Sequence, residues 1–321
     1  MSTTVTSKLI TFELPAVQNT PMRLVPRPHF DWSLRSRTLS VGQRTIIMGI
    51  LNVTPDSFSD GGSFTTVDSA IDHAFAMLDK GADIIDVGGE STRPDATPLS
   101  SSDEQSRVLP VIQSILKHRP NAVVSIDTYH ADTARLAVEA GAEIVNDVSG
   151  HVWDPCMSET CADLSCGVVL MHTRGRPREW KTQPALAREE VVPLVLSGLE
   201  QQAKCAIAAG VARNRIAVDP GFGFGKIHGE NYALLASLEN LQSLGFPILV
   251  GLSRKSFLRF LNANGETVEP NAVRARVLSA TLTANAVAIL SGAHMVRVHD
   301  VAEARVAADV TDAILKATSD S

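Results

Sequence analysis

The sequence is poor in cysteine, in aromatic residues and in basic excess, and each shortage argues against a class of protein. The 321 residues include only 4 Cys, 3 Trp and 2 Tyr. Cys156, Cys161 and Cys166 are spaced five apart, which fits neither paired metal ligands nor a disulfide framework, so we expect free thiols. The net charge of −6, from 29 basic and 35 acidic residues, argues against a general nucleic-acid binder.

Long apolar runs are also missing. No stretch of about 18 apolar residues occurs, so we predict no membrane-spanning helix. Residues 1–18 lack the basic segment and apolar core of a secretory signal, and we therefore expect a cytoplasmic protein. Hydrophobic residues make up 44% of the chain and charged residues 20%, which is enough to build a large buried core.

What the sequence does contain is a regular alternation of short Val- and Ile-rich runs with longer helical patterns. Near-continuous apolar strands are typical of a parallel sheet that is covered on both faces. Eight strand–helix units predict an α/β fold, a (β/α)8 TIM barrel with an N-terminal extension. The strand runs are residues 45–51, 84–88, 123–127, 144–147, 168–171, 216–219, 248–252 and 295–298. The helical stretches are residues 67–80, 102–118, 131–140, 155–165, 189–209, 230–243, 271–291 and 301–317.

A weak internal repeat supports the strand–helix units. Gly-Ala pairs at residues 81–82, 141–142 and 292–293 each precede a strand, and a polar side chain follows five residues after each Gly. A glycine at this point suits a helix C-cap in the left-handed conformation. A doubly wound open sheet uses the same pattern and stays an alternative.

Residues 1–44 differ from the remainder, because prolines interrupt any regular element there. We predict that they form an extension that covers one end of the barrel, and that residues 45–321 form the catalytic domain. At its end, residues 38–41 are expected to pair with residues 45–51 as a short hairpin around Gly42.

Polar side chains gather at the carboxyl ends of the predicted strands. Such groups are costly inside a sheet unless they are partnered, and in barrels this end carries the active site. The residues are Asn52, Asp86, Glu90, Asp127, Asn146, Asp147, His172, Asp219, Arg297 and His299, together with residues 253–256. The loop at residues 52–62 is long and polar, and the loop at residues 90–95 carries a cation, Arg93. The loop at residues 219–226 alternates Gly with Phe, and its glycines let the backbone approach a ligand closely.

Five segments, taken together, resemble one enzyme family. They are residues 48–62 (MGILNVTPDSFSDGG), 86–94 (DVGGESTRP), 219–226 (DPGFGFGK), 253–256 (SRKS) and 297–300 (RVHD). In this order they resemble the signatures of the dihydropteroate synthases, the sulfonamide targets of folate biosynthesis. The resemblance runs from about residue 45 to residue 317.

The resemblance implies a transferase that condenses 6-hydroxymethyl-7,8-dihydropterin pyrophosphate with p-aminobenzoate, giving 7,8-dihydropteroate and pyrophosphate. Pyrophosphate would leave first, to give a pterin cation that the arylamine attacks. By resemblance, the pterin would bind to Asp127, Asn146, Met171, Asp219, Phe224, Lys255 and Arg297. The p-aminobenzoate would bind to Phe58, Thr92, Arg93, Pro94 and Ser256, with Asp56 or Asp60 ordering the loops.

The resemblance also implies an anion site and a metal. Pyrophosphate would bind to Asn52, Arg93, Arg297 and His299, and Mg²⁺ would bind through Asn52 and phosphate oxygens, since it prefers hard oxygen ligands. The catalytic residues would be Asp127, Lys255, Arg297 and His299. The family resemblance further implies a homodimer, and the apolar helix predicted at residues 271–291 is the expected contact.

The sequence departs from the family pattern at Asp95, at Thr173 and at the bulky pair Tyr129 and His130, which puts rate and inhibitor fit in question. Two rival functions are compatible with a pterin-binding barrel. A corrinoid-dependent methyltransferase on the same pterin-binding barrel would need no pyrophosphate site, so Arg93, Arg297 and His299 argue against it. A barrel kept only for binding would have lost some polar strand ends, and all are present.

Overall fold

The computed structural model describes residue 24 and residues 26–54, 66–90, 98–259 and 270–319. Two short strands, β1 (Phe30–Ser33) and β2 (Thr38–Val41), come first in this part of the chain. Eight strands of one sheet follow. They are β3 (Ile46–Asn52), β4 (Ile84–Gly88), β5 (Val123–Asp127), β6 (Ile144–Asp147), β7 (Gly167–Met171), β8 (Ile216–Asp219), β9 (Leu249–Val250) and β10 (Met295–Val298).

Helices alternate with these strands. They are α1 (Thr66–Asp79), α2 (Ser101–His118), α3 (Ala131–Glu139), α4 (Met157–Leu164), α5 (Arg188–Ala208), α6 (His228–Ala236), α7 (Ser256–Arg259), α8 (Pro270–Leu290) and α9 (Val301–Ser319). The glycines of the predicted repeat, Gly81, Gly141 and Gly292, all adopt positive φ after their helices, as the C-cap pattern predicts.

The sheet closes into a barrel, so the open-sheet alternative is wrong. All strand pairs are parallel, and the order β8-β7-β6-β5-β4-β3-β10-β9 follows the chain around the ring. A parallel bridge between Val218 and Ile248 joins the two ends, and the Val218 N–H donates to the Pro247 carbonyl at 2.9 Å. The predicted (β/α)8 fold is confirmed.

The period of two along each strand divides the barrel interior into layers. Residues that face outward pack against the helices in the large apolar core, as Val296 and Val298 do. Inward-facing residues near the strand starts form a separate apolar floor, and two residues further along each strand the side chains are mostly polar. The floor consists of Ile46, Met48, Ile84, Val123, Ile144, Val169, Ala217, Leu249 and Met295.

An antiparallel hairpin covers the floor from outside, although the predicted pairing is wrong. Residues 38–41 pair with Phe30–Ser33, whereas the segment predicted at residues 45–51 forms the first barrel strand, Ile46–Asn52. Trp32, Leu34 and Val41 are buried in the same cluster as the floor residues. The error arose because β3 looks equally suited to a hairpin, while its apolar side chains on both faces fit only a covered parallel sheet. The division at residue 44 stays a prediction.

Two further elements differ from the sequence prediction. The strand predicted at 248–252 is shortened to two residues, because the chain turns after Val250 and Arg254 adopts a left-handed φ of 58°. The helix predicted at 230–243 is two elements, since α6 leaves the α conformation at Ser237 and a 3-10 helix (Leu238–Leu244) follows.

Helix α8 contains one window, Ala272–Leu290, that is long and apolar enough to cross a membrane by length and composition alone. The window is not an uninterrupted apolar run, because Arg274 and Arg276 lie within it. In the structure this helix is part of the barrel's outer layer, where Val277, Ala284, Ala288 and Ile289 are buried and contacts reach α9, α7 and α6.

The four cysteines are free, as predicted. Cys161 and Cys166 are buried in the outer core, whereas Cys156 and Cys205 are exposed.

Candidate active site

A layer of polar side chains lies above the apolar floor, at the carboxyl ends of the strands. Asp86, Asn146, Asp219 and Arg297 each follow a floor residue by two positions, and Asp127 follows Val123 by four. The strand register places Asp127 beside Asn146, and Met171 beside Asp219. Pattern and register therefore bring five of the expected residues to one end of the barrel.

Arg297 links the carboxylates of this layer. Its Nε donates to Asp86 Oδ2 at 2.6 Å, and its Nη2 donates to Asp127 Oδ2. Asn146 donates to the same oxygen of Asp86 at 3.0 Å. Burial opposes the charge of Arg297, but the two carboxylates outweigh it and raise its pKa.

Asp86 is a central member of the site that the sequence interpretation left without a role. Its side chain is fully buried, and Oδ1 has no hydrogen-bond partner among the described residues. The period of two could have revealed it, because Asp86 follows the floor residue Ile84 just as Asn146 follows Ile144.

Asp127 shares Arg297 with Asp86, and its carboxyl has a pKa close to neutral pH. Burial raises the pKa of Asp127 to about 7, and the Arg297 guanidinium opposes this rise. A carboxylate in this position can carry negative charge in a largely water-free interior, where electrostatic interactions are strong.

Asp219 lies on the other side of the layer, beside a second cation. Its Oδ1 accepts the Gly221 backbone N–H at 2.7 Å. Burial raises the pKa of Asp219 to about 6, while that N–H and Lys255 oppose the rise. Burial also lowers the pKa of Lys255 to about 8, and its ammonium lies 3.9 Å from the centre of the Phe224 ring.

Phe224 and Met171 give the site apolar surface. Phe224 is half-buried and packs edge-to-face on Trp180, with 5.0 Å between the ring centroids. The Trp180 indole N–H lies within hydrogen-bond distance of Thr173 Oγ1, at 3.2 Å. Thr173, which departs from the family pattern, therefore helps to hold Trp180 against Phe224.

His299 and Ser253 form a coupled pair at the end of β10. Ser253 Oγ accepts the His299 backbone N–H at 3.2 Å and lies 2.9 Å from Nδ1. A hydroxyl that accepts one bond can donate its own proton to Nδ1, which leaves the imidazole proton on Nε2. Burial lowers the pKa of His299 to about 3, so at neutral pH this residue is a neutral donor and not a cation.

Asn52 occupies the rim beside Asp127. A Cβ on the intervening Gly88 would lie 3.8 Å from Asn52 Oδ1 and 3.6 Å from Asp127 Oδ2, so no side chain separates the two oxygens. Within the described part of the chain, no group of three His, Cys, Asp or Glu side chains could hold a metal. A hard cation at Asn52 would therefore need most of its ligands from water and substrate.

The bulky pair Tyr129 and His130 binds Glu90, the last described residue of its loop. The Tyr129 hydroxyl lies 2.8 and 3.0 Å from the two Glu90 carboxylate oxygens, and His130 Nε2 lies 3.8 Å from one of them. This departure from the family pattern therefore adds contacts at the edge of the site.

Of the remaining polar strand ends, Asp147 has a structural role and His172 is a buried neutral side chain. Asp147 follows the inward-facing Asn146 and accepts the backbone N–H groups of Ser149 and His151, at 2.7 and 2.9 Å. His172 is buried, and burial lowers its pKa to about 2, so it is neutral.

Several expected residues lie outside the described residues. They are Asp56, Phe58, Asp60, Thr92, Arg93, Pro94 and Asp95. Ser256, the remaining residue of the expected p-aminobenzoate pocket, is the exposed first residue of α7.

Comparisons with known proteins agree with this arrangement. The family model described as "Pterin binding enzyme" matches residues 48–299. The chain is 42% identical over 278 residues to a dihydropteroate synthase of Bacillus subtilis, covering 86% of this chain and 91% of that protein. It is 40% identical to the Xanthomonas albilineans dihydropteroate synthase solved with 4-aminobenzoic acid, with a TM-score of 0.79 over 90% of this chain and 98% of that one. The Yersinia pestis dihydropteroate synthase, solved as a sulfonamide drug complex, is 37% identical with a TM-score of 0.79, covering 90% of this chain and 100% of that one. The chain therefore belongs to the dihydropteroate synthases, transferases of the pterin-binding enzyme family.

Proposed function

We propose that this transferase condenses 6-hydroxymethyl-7,8-dihydropterin pyrophosphate with p-aminobenzoate in folate biosynthesis. The supporting observation is that Asp219, Asn146 and Arg297 belong to one polar layer at one end of the barrel. The residues that would bind the pterin ring, Asp219 and Asn146, then lie at the same opening as Arg297, which would bind the pyrophosphate.

Asp219 is the proposed reader of the pterin ring. The ring presents an amine and an adjacent N–H, and a carboxylate can accept both hydrogen bonds, much as it accepts two from a guanidinium. Asn146 would contact neighbouring ring atoms and Lys255 would donate to the acceptor side. Met171 and Phe224 would enclose the ring.

Asp127 and the residues of β10 would assist the departure of pyrophosphate. Positive charge develops on the dihydropterin as the bond to the leaving oxygen breaks, and the Asp127 carboxylate would stabilise that charge. Arg297 would bind the leaving group through N–H donors that the two aspartates do not use, because its guanidinium has five. His299 would donate from Nε2.

A magnesium ion fits the oxygen donor at Asn52. When bound there, Mg²⁺ would neutralise phosphate charge, and substrate oxygens and waters would complete its coordination.

The arylamine would attack last. Ser256, together with Phe58, Thr92, Arg93 and Pro94, is the proposed p-aminobenzoate pocket, and Arg93 would also contact pyrophosphate. Because the dihydropterin cation is itself the electrophile, the reaction requires no covalent intermediate with the protein.

The enzyme is also proposed to act as a cytoplasmic homodimer. Val273 and Val287 on α8 are large apolar residues that are 44% and 41% exposed. A second subunit would cover this face.

A direct assay tests the proposal. Purified protein given both substrates and Mg²⁺ should form 7,8-dihydropteroate and pyrophosphate in equal amounts. Omission of the pterin pyrophosphate should abolish both products, and omission of p-aminobenzoate should abolish dihydropteroate formation. Asp219→Ala is the matched control, since it should lose the activity while keeping the fold. Folded wild-type protein that forms no dihydropteroate under these conditions would overturn the proposal.

A further inference from the structure

Lys226 is a buried cation that the proposed chemistry does not use. It directly follows the Gly-Phe segment 221–225, and only 5% of its surface is exposed. Its ammonium donates to three backbone carbonyls, those of Gly221 at 2.8 Å, His172 at 3.2 Å and Phe224 at 3.4 Å. An ammonium has three donors, so Lys226 is satisfied without a carboxylate.

These carbonyls belong to two different loops. His172 directly follows β7, while Gly221 and Phe224 lie in the loop after β8. Lys226 therefore joins the ends of the two strands that carry Met171 and Asp219.

The backbone at this junction is tightly constrained. Gly221 has a φ of 67°, and a Cβ there would lie 2.0 Å from the His172 carbonyl oxygen. The Gly221 N–H is also the donor to Asp219 Oδ1. A shift of Gly221 would therefore move both the carbonyl that Lys226 holds and the hydrogen bond that orients Asp219.

Asn231 of α6 fixes the same loop from the outside. Its Oδ1 accepts the Gly223 N–H at 2.7 Å, and its Nδ2 donates to the Lys226 carbonyl at 2.9 Å. Lys226 thus holds Gly221 and Phe224 of the loop, and Asn231 holds Gly223 and Lys226.

We propose that Lys226 is a positioning residue for pterin recognition, which holds the Asp219 carboxylate and the Phe224 ring in their binding geometry through the carbonyls of Gly221, Phe224 and His172. This inference depends on the proposed function, since it assigns the pterin ring to Asp219. Lys226 itself does not touch the substrate.

The positive charge of Lys226 also affects the pKa of Asp219. Burial raises the pKa of Asp219, whereas Lys226, Lys255 and Arg297 oppose the rise. Burial lowers the pKa of Lys226 itself to about 7, Lys255 and Arg174 lower it further, and Asp219 and Glu230 oppose the lowering. Lys226 is therefore mostly protonated near pH 6, where Asp219 titrates. Removing the ammonium should therefore move the pKa of Asp219 upward, which a purely structural residue would not do.

The test compares Lys226→Met with the wild type, using 6-hydroxymethylpterin, which lacks the phosphates, as the probe in calorimetry. We expect the affinity to fall at least tenfold, and the midpoint of its pH dependence to move to higher pH. Asn231→Ala should weaken binding less, and the double variant should lose less than the product of the single losses, because both residues act on one loop.

Arg27→Met is the matched control. Arg27 is a buried cation at the opposite end of the barrel, where it binds Asp312 at 2.6 Å. It should lower the melting temperature without changing pterin affinity or its pH midpoint.

The outcomes separate the inference from the proposed function. If the wild type binds the pterin and Asp219→Ala does not, the ring-reading assignment is supported independently of Lys226. A Lys226→Met protein with wild-type pterin affinity and pH midpoint would then overturn the inference alone. If Lys226→Met does not fold, unchanged pterin affinity in Asn231→Ala would overturn it.

Discussion

The ionisation of Asp219 should make pterin affinity depend on pH. Its carboxyl is buried, which raises its pKa to about 6, and only the ionised form can accept two hydrogen bonds from the pterin edge. Pterin affinity should therefore fall as the pH drops through about 6, because Asp219 becomes protonated. Calorimetry with 6-hydroxymethylpterin across this range measures the dependence.

Asp219→Asn is the control for this prediction, because it keeps the shape of the side chain but cannot ionise. Hydrogen bonds to a charged group contribute about 1.5–3 kcal/mol each, so the variant should bind at least about 100-fold more weakly at neutral pH. Its residual affinity should not depend on the same titration. An unchanged pH profile in Asp219→Asn would assign the titration to another group.

The pair Ser253 and His299 predicts a selective loss of anion binding. Ser253→Ala removes the hydroxyl that fixes the imidazole tautomer, so we expect pyrophosphate-bearing pterin to bind about tenfold more weakly, as for the loss of a single hydrogen bond. His299→Ala should lose at least as much. Binding of 6-hydroxymethylpterin should stay within twofold of wild type in both variants, and an equal loss for both ligands would contradict the assignment.

At the residue scale, the sequence predicted which side chains meet but not how they pair. Parallel strands with polar ends require that Asp127, Asn146, Asp219 and Arg297 share one face. That Arg297 binds both Asp86 and Asp127 depends on side-chain packing between strands distant in sequence, which the local pattern does not contain.

Among the elements, the hairpin of β1 and β2 should contribute stability without contributing to binding. Trp32 is 1% exposed, packs on the barrel floor, and donates its indole N–H to the Arg215 carbonyl at 2.8 Å. Trp32→Ala should lower the free energy of unfolding by about 3–5 kcal/mol. Urea denaturation measures this, and pterin affinity should be unchanged because the hairpin lies at the opposite end.

Phe30→Ala is the matched control for that prediction. Phe30 lies in the same hairpin but is half-exposed, so its loss should be clearly smaller. Equal destabilisation by the two variants would mean that loss of the hairpin, and not loss of the Trp32 packing on the barrel floor, accounts for the effect.

Element boundaries were predictable where burial alone decided them. Seven of the eight barrel strands begin and end within one residue of their predicted bounds, because their apolar runs are bounded by Gly or by polar residues. The exception is β9. The partner of residues 38–41 could not be predicted in the same way, since β1 is a short segment whose pairing depends on the floor that it covers. The break at Ser237 likewise has no marker such as Pro or Gly in the sequence.

For the whole molecule, the proposed function predicts that sulfonamides compete with p-aminobenzoate. A sulfonamide has a similar size and charge distribution, so both should occupy one pocket at the mouth of the barrel. The apparent KM for p-aminobenzoate should rise in proportion to sulfonamide concentration while kcat stays constant. Inhibition that p-aminobenzoate cannot overcome would place the drug elsewhere.

Assembly is the remaining property of the whole molecule, and α8 gives it a specific test. Val287 is 41% exposed on the proposed subunit contact, so Val287→Glu would bury an unpaired carboxylate from each protomer in an apolar interface. We expect dimer affinity to fall at least about 100-fold, because each 1.4 kcal/mol changes it tenfold. Light scattering coupled to size exclusion measures the mass.

Leu136→Glu is the control, since Leu136 is 39% exposed on α3, across the barrel from α8, and should leave the dimer intact. A wild-type protein that is monomeric at high concentration, or a Val287→Glu protein that stays dimeric, would show that α8 is not the contact.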